Sequence, residues 1–312
     1  MTIFYPVPYA FEVNGEYEHG EYESDPYTCY KIKPNWSGFY PNGIPVRCNS
    51  LGLYNKEITF EKKDGTFRIL VLGDSFTAGS NIRVEQAYLF LLEKILNKTC
   101  RVPVEVINAG VGGWDPFMYA QYYEHYGRKI EHDMVLVGFF VGNDTYDITS
   151  DFSQCPKIVL GRRVYSNNPI SATLKVFFYK HSNIVRLLMN TAPPIRNFAR
   201  KDCDDIGEFS LWINKIFLNA IRKQSKETYL NAKHAVDEIK RIKDLADQNA
   251  IPLVIALLPD EKRINKTLQK KIIPDSEINL YDFSMPQSML IKIFDERGIK
   301  IVDLLPAFFR KH

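Results

Sequence analysis

Phe67-Arg-Ile-Leu-Val-Leu-Gly-Asp-Ser-Phe-Thr-Ala-Gly79 is the stretch whose reading decides the fold. The apolar run Ile69 to Leu72 stops at Gly73-Asp74-Ser75, and Val84 to Leu96 then carries apolar residues at helical spacing. The pattern is a buried strand, a tight turn and a helix. A serine in that turn sits at the carboxyl end of a strand, where open α/β sheets build their sites. A Walker loop would need Lys after the second Gly, and here Ser80 follows Gly79. Asp74 would also repel a phosphate. The Gly-x-Ser-x-Gly elbow of the α/β-hydrolases is excluded as well, because Gly79 comes four residues after Ser75.

Working outward, Val104 to Gly110 is a second strand. Gly112-Gly113-Trp114-Asp115-Pro116 then leads into a helix, with Asp as cap and Pro at its first position. Asp133 to Phe140 is a third strand, closed by Val141-Gly142-Asn143-Asp144. A long amphipathic helix covers Lys226 to Asn249, with Ala232, Val236, Ile239, Ile242 and Ala246 as its buried stripe. Ile251 to Pro259 is a fourth strand, Pro286 to Arg297 a helix with Gly298 as its C-cap residue, and Ile299 to Leu304 a fifth strand. Strands alternating with helices imply a parallel sheet covered on both faces. Right-handed crossovers leave few topologies. The expectation is a flavodoxin-like three-layer α/β/α sandwich with five parallel strands in the order 2-1-3-4-5.

Residues 1–66 are rich in Tyr, Pro, Gly, Asn and Glu and have little periodicity. They read as an irregular arm with one short hairpin, packed on the main domain of residues 67–312. Residues 145–225, punctuated by Asn167-Asn168-Pro169 and Pro193-Pro194, read as an insertion over the carboxyl edge of the sheet. A helix near Leu174–Met189 is expected within it, with Phe177, Phe178 and Leu187 as local packing.

The 312 residues are 45% hydrophobic, enough for a proper core, and the net charge of +3 is too small to imply a nucleic-acid partner. Five Cys, at 29, 48, 100, 155 and 203, form no zinc spacing, and their odd count favours reduced thiols. No apolar run approaches the roughly 20 residues of a membrane span. The first residues lack a basic start and a long apolar centre, so neither a signal peptide nor export is expected. The corresponding expectation is a cytoplasmic protein.

In the 2-1-3 order the ends of three adjacent strands meet, with Ser75 central and Asn108 to Gly113 and Asn143 on either side. Acyl transfer needs such an arrangement, a nucleophile with hydrogen-bond donors around the developing oxyanion. The Ser75 and Gly113 N–H groups and the Asn143 amide are the candidate donors. Asp74 and Asp144 are short acids suited to fixing the two turns through backbone N–H groups.

These residues resemble the SGNH (GDSL-type) hydrolases, a family of esterases and lipases. Gly73-Asp74-Ser75 is similar to the first block, which carries the nucleophile. Asn108-Ala-Gly-Val-Gly-Gly113 resembles the second, whose last Gly donates to the oxyanion, and Gly142-Asn143-Asp144 the third, whose Asn is the other donor. Cys48 to Leu53 and Val302 to Phe308 look like the flanks of many such proteins. The resemblance implies ester chemistry without a cofactor or metal, on a small-molecule or glycan ester.

One block of the family has no counterpart here: the Asp-x-His or Asp-x-x-His that supplies the general base. The expectation is that the chain, whose last residue is His312, stops before it. Of the six His, His132 precedes the third strand at the wrong end of the sheet, and His125 and His234 lie within helices on solvated faces. His19 lies in the arm, His181 in the insertion, and His312 at the terminus. Asp303 reads as a cap or turn residue; Asp147, Asp151 and Asp260 lie near the expected mouth. Two functions stand side by side: a serine esterase or acyltransferase, and a non-catalytic protein that holds a carbohydrate or ester on the same fold.

Overall fold

The computed structural model describes residues 20–40, 43–145, 149, 151–159, 161–164, 226–274 and 276–309. The expected helix near Leu174–Met189, with Phe177, Phe178 and Leu187, falls outside the described residues, as does most of the expected insertion.

Four short strands come first: β1 (Tyr22–Asp25), β2 (Cys29–Ile32), β3 (Ser37–Phe39) and β4 (Pro45–Arg47). They pair antiparallel as two hairpins, one more than expected. The first turn is held by Asp25, whose Oδ1 accepts from the N–H groups of Tyr27 and Thr28. That Asx-type closure is what irregular composition conceals.

The central sheet contains β5 (Phe67–Gly73), β6 (Val104–Gly110), β7 (Met134–Phe140), β10 (Leu253–Leu258) and β11 (Lys300–Asp303). All its pairings are parallel, and the spatial order is β11-β10-β7-β5-β6. Counted within the sheet, this is 2-1-3-4-5, the flavodoxin-like order. A further hairpin, β8 (Lys157–Val159) and β9 (Arg162–Val164), follows β7 in the chain.

Alternation along β5 divides the core. Leu70 and Leu72 face α3 (Pro116–His125), α4 (Lys226–Asp247) and α5 (Met285–Glu296), together with Ile107, Val135, Val137 and Ile255. Ile69 and Val71 face α2 (Tyr88–Thr99), where Leu89 meets Val104, Val106 and Leu136. The α4 stripe of Ala232, Val236, Ile239, Ile242 and Ala246 is fully buried. At the amino-terminal end of the sheet the buried Arg68 pairs with Glu105 at 2.7 Å. It also donates to the carbonyls of Thr59, Phe60 and Glu61, which fastens the segment before β5, and to that of Glu131 ahead of β7.

The cysteines correct the expectation of reduced thiols. Cys29 and Cys155 form a disulfide, with Cα atoms 5.3 Å apart and a sequence separation of 126. Spacing could not reveal a pair brought together only by the fold. Cys48 and Cys100 are free thiols, and Cys203 lies outside the described residues. Among the described residues, no helix is long and apolar enough to cross a membrane.

The feature that positions the site is a row of three glycines. Gly73 ends β5 and is in register with Gly110 on one side and Gly138 on the other. The helical turn α1 (Ser75–Ala78) rests directly on them. A Cβ on Gly110 would lie 2.6 Å from the Ala78 amide nitrogen, and one on Gly138 would lie 2.3 Å from Thr77 Oγ1. Backbone atoms at the Gly110 contact cannot rotate away. Gly110→Ala is therefore expected to lower stability by about 1–3 kcal/mol through overpacking. Urea unfolding monitored by circular dichroism checks this; an unchanged midpoint would show that the turn does not sit so close.

Candidate active site

Ser75 is half-buried at the start of α1, immediately beyond the end of β5. The preceding Asp74 is fully buried, and its two carboxylate oxygens have different duties. Oδ1 accepts from the Phe76 N–H at 2.9 Å and so caps α1. Oδ2 accepts from Asn143 Nδ2 at 3.0 Å. The carboxylate thus joins the serine turn to the turn that closes β7.

That second turn is fixed by Asp144. Its Oδ2 accepts from the Phe140 N–H at 2.9 Å, and its Oδ1 accepts from the Tyr119 hydroxyl at 3.0 Å. Asn143, the neighbour of Asp144 in sequence and bonded to Asp74, is half-buried. Its Oδ1 is a buried atom without a hydrogen-bond partner among the described residues. An amide nitrogen carries two protons; Asp74 takes one of those on Asn143.

On the other side of Ser75 lies the turn after β6. A Cβ built on Gly112 would be 3.9 Å from Ser75 Cβ. Gly113 is exposed and has φ of +77°, a conformation that glycine adopts without strain. Asp115 caps α3 by accepting from the Met118 N–H and also accepts from the Thr149 N–H at 2.8 Å. Asn108 accepts from the Gly110 N–H through Oδ1, holding the end of β6. Of the residues singled out in the sequence, Ser75, Asp74, Asn143 and Asp144 are joined by one hydrogen-bonded frame and chain adjacency, and Gly112 brings Gly113 to the opposite flank.

Burial sets the charge state of the frame. It raises the Asp74 carboxyl to about 6, against the lowering effect of the Asn143 and backbone hydrogen bonds. It pushes Asp144 well above the usual range, assisted by the nearby charge of Asp74, and raises Asp115 in the same direction. At the mouth, Phe76 is 51% exposed and its ring stacks on Phe140 at 3.7 Å, which leaves an aromatic ledge one residue from Ser75.

The described histidines are engaged elsewhere. His132 is buried, with its ring nitrogens on the Tyr123 hydroxyl and the Ile130 carbonyl. His125 stacks on Tyr27 at 3.8 Å, half-buried rather than on the solvated face expected. His234 pairs with Glu238 along α4. His19, His181, His312 and Asp147 lie outside the described residues. Asp151 caps its own turn through Ser153, and Asp260 Oδ2 lies 3.1 Å from where Gly142 would carry a Cβ. Asp303 accepts from the Leu305 N–H and from Gln287.

The group behind Gly113 has no local signature in the sequence. A Cβ there would lie 1.7 Å from Arg163 Nη1, so the guanidinium packs against the glycine. The Tyr22 and Tyr30 hydroxyls both donate to the Gly112 carbonyl, at 3.5 and 3.3 Å.

No family profile matches the chain, and no curated protein matches it. Among solved structures the chain is similar to AlinE4, an SGNH-hydrolase family esterase, at 12% identity and a TM-score of 0.37, covering 79% of this chain and 80% of that one. It is similar to a variant of Axe2, an acetyl-xylooligosaccharide esterase from Geobacillus Stearmophilus, at 12% identity and 0.37, with 78% of each chain covered. A GDSL-like lipase from Bacteroides thetaiotaomicron matches at 11% identity and 0.32, over 76% of this chain and 67% of that one.

The raised Asp74 carboxyl has a measurable consequence. Its folded pKa lies above the unfolded value near 4, so the folded state holds the proton more tightly. The stability this contributes is fully present below the unfolded pKa and is lost as pH rises through about 6. Asp74→Asn removes the titration. Between pH 4.5 and 7 the wild type is expected to lose about 2 kcal/mol relative to this variant. Urea midpoints at the two pH values give the difference; a constant gap would mean that Asp74 is ionised at both.

Proposed function

We infer that the protein is a serine ester hydrolase or acyltransferase of the SGNH type. Residues 67–312 form its catalytic domain, and residues 1–66 an arm packed against it. The observation that carries the reading is the Asp74 carboxylate: it binds the Asn143 amide to the turn that offers Ser75. A fixed amide beside a serine, with a glycine turn on the other flank, suits a developing oxyanion.

In this reading Ser75 Oγ attacks the ester carbonyl. The tetrahedral oxyanion is held by the Gly113 N–H and by the Asn143 N–H that Asp74 does not take. Collapse expels the alcohol and leaves an acyl group on Ser75; water then completes hydrolysis, or another hydroxyl completes transfer. The serine proton passes to a general base and from it to the departing alcohol; the described histidines have other partners. General-base help of this kind is typically worth about 10²- to 10⁴-fold. The Phe76–Phe140 ledge suits the apolar face of a sugar ring, and an O-acetyl glycan is the substrate class we favour. Asp74 and Asp144 act as supports and make no covalent step.

A fluorophosphonate probe followed by peptide mapping tests the reading. The wild type is expected to be labelled at Ser75, and Ser75→Ala to lose both labelling and p-nitrophenyl acetate turnover above background. Equal turnover by wild type and Ser75→Ala would reject Ser75 as nucleophile. A wild type that neither labels nor turns over esters would instead favour a protein that only holds its ligand.

A further inference from the structure

The peptide unit between Gly112 and Gly113 has two ends. Its N–H belongs to Gly113, and its C=O to Gly112. A trans peptide is planar, so fixing the carbonyl also fixes the direction of the N–H on the other side. The Tyr30 hydroxyl donates to that carbonyl at 3.3 Å and the Tyr22 hydroxyl at 3.5 Å. Behind Tyr30 stands a charge: Arg163 Nη1 donates to the Tyr30 hydroxyl oxygen at 2.9 Å.

One tyrosine hydroxyl can accept and donate at once. Arg163 donates to Tyr30, and Tyr30 donates to the Gly112 carbonyl. The guanidinium is itself held over two rings, with Cζ 4.9 Å from the Tyr22 centroid and 5.2 Å from the Tyr30 centroid. Those rings meet edge-on at 5.1 Å. Trp114 Nε1 donates to the Tyr30 carbonyl at 3.0 Å, so the turn and the strand grip each other twice. The disulfide of Cys29, the neighbour of Tyr30, ties β2 to the segment that leads into the hairpin carrying Arg163.

We propose that Arg163 and Tyr30 are positioning residues for ester cleavage, forming a relay that orients and polarises the Gly113 N–H as an oxyanion donor. The proposal rests on the serine-nucleophile reading. Hydrogen bonds in series strengthen one another in a low-dielectric setting. A positive charge at the start of the series withdraws density from the carbonyl and makes the N–H at its end a better donor. The charge acts only as negative charge develops on the substrate oxygen, so the relay raises kcat and leaves ground-state binding alone. Both residues act through the Gly112–Gly113 peptide in this proposal and take part in no covalent step.

Tyr30→Phe removes one hydroxyl and keeps the ring that packs against Tyr22 and Arg163. Arg163→Met removes the charge and keeps an extended side chain. Each is expected to lower kcat for p-nitrophenyl acetate about tenfold, less than the 10²–10³ of deleting an oxyanion donor outright. KM should stay within twofold, and fluorophosphonate labelling of Ser75 should slow in proportion. The double variant should be no slower than either single one, since both interrupt a single relay. The thermal midpoint of Tyr30→Phe verifies that the fold persists, and that variant decides the matter if Arg163→Met does not fold.

Wild-type rates in Tyr30→Phe, or losses that multiply in the double variant, would overturn the relay while leaving Ser75 as nucleophile. A rise in KM at unchanged kcat would overturn it too, because it would assign the pair to substrate binding. A wild type inert to both probe and ester would remove the nucleophile reading, and the relay with it.

Discussion

A four-residue helical turn rests on three neighbouring strands because each carries a glycine at that level: Gly73 and Gly110 end β5 and β6, and Gly138 lies two residues before the end of β7. Side chains at Gly73, Gly110 or Gly138 would occupy the space of Thr77 or of the Ala78 backbone. Without that seat α1 would ride higher on the sheet, and Ser75 would rise with it, away from the turns that follow β6 and β7. Thr77 Oγ1 then meets the Tyr88 hydroxyl at 3.1 Å, which anchors the turn to the next helix. Close approach of backbone is a use of glycine that no other residue can fill. Here it sets the height of the serine.

Around that seat the protein keeps two buried carboxylates, Asp74 and Asp144, and the half-buried Asp115. Burial raises all three above the ordinary range. Each accepts at least one backbone N–H: from Phe76, from Met118 and Thr149, and from Phe140 respectively. A buried acid left without donors would be costly; these have donors, and the result is a stiff polar frame beneath a half-open serine. Perturbed acids grouped at strand ends are a common mark of working sites. In this chain their office is orientation. Asp74 turns the Asn143 amide, Asp144 closes the loop that presents it, and Asp115 starts the helix that follows Gly113.

The sheet was legible because parallel strands buried on both faces are written as unbroken apolar runs, and Ile69 to Leu72 and Leu253 to Leu258 are such runs. The α4 stripe and the Asp115-Pro116 helix start were legible for the same local reason. What escaped the sequence is non-local. Cys29 and Cys155 are 126 residues apart. Arg163 reaches Gly113 from a hairpin that no periodicity marks, and Tyr22 and Tyr30 come from an arm that read only as irregular. Arg68 is buried and bonded to four backbone carbonyls, a role that nothing local in the sequence marks. Of the site, the three strand ends were readable from glycine and asparagine placement. The groups that stand behind them were not, because a hydrogen bond to a backbone carbonyl leaves no residue signature in the sequence.

The central claim is geometrical: an oxygen attached to whatever Ser75 attacks meets two donors at once. The most direct test is a crystal structure of the protein after reaction with a fluorophosphonate. The predicted result is a phosphonyl group on Ser75 Oγ whose oxygen lies about 2.7–3.1 Å from both the Gly113 nitrogen and Asn143 Nδ2. A phosphonyl oxygen turned to solvent, with neither donor in reach, would contradict the account.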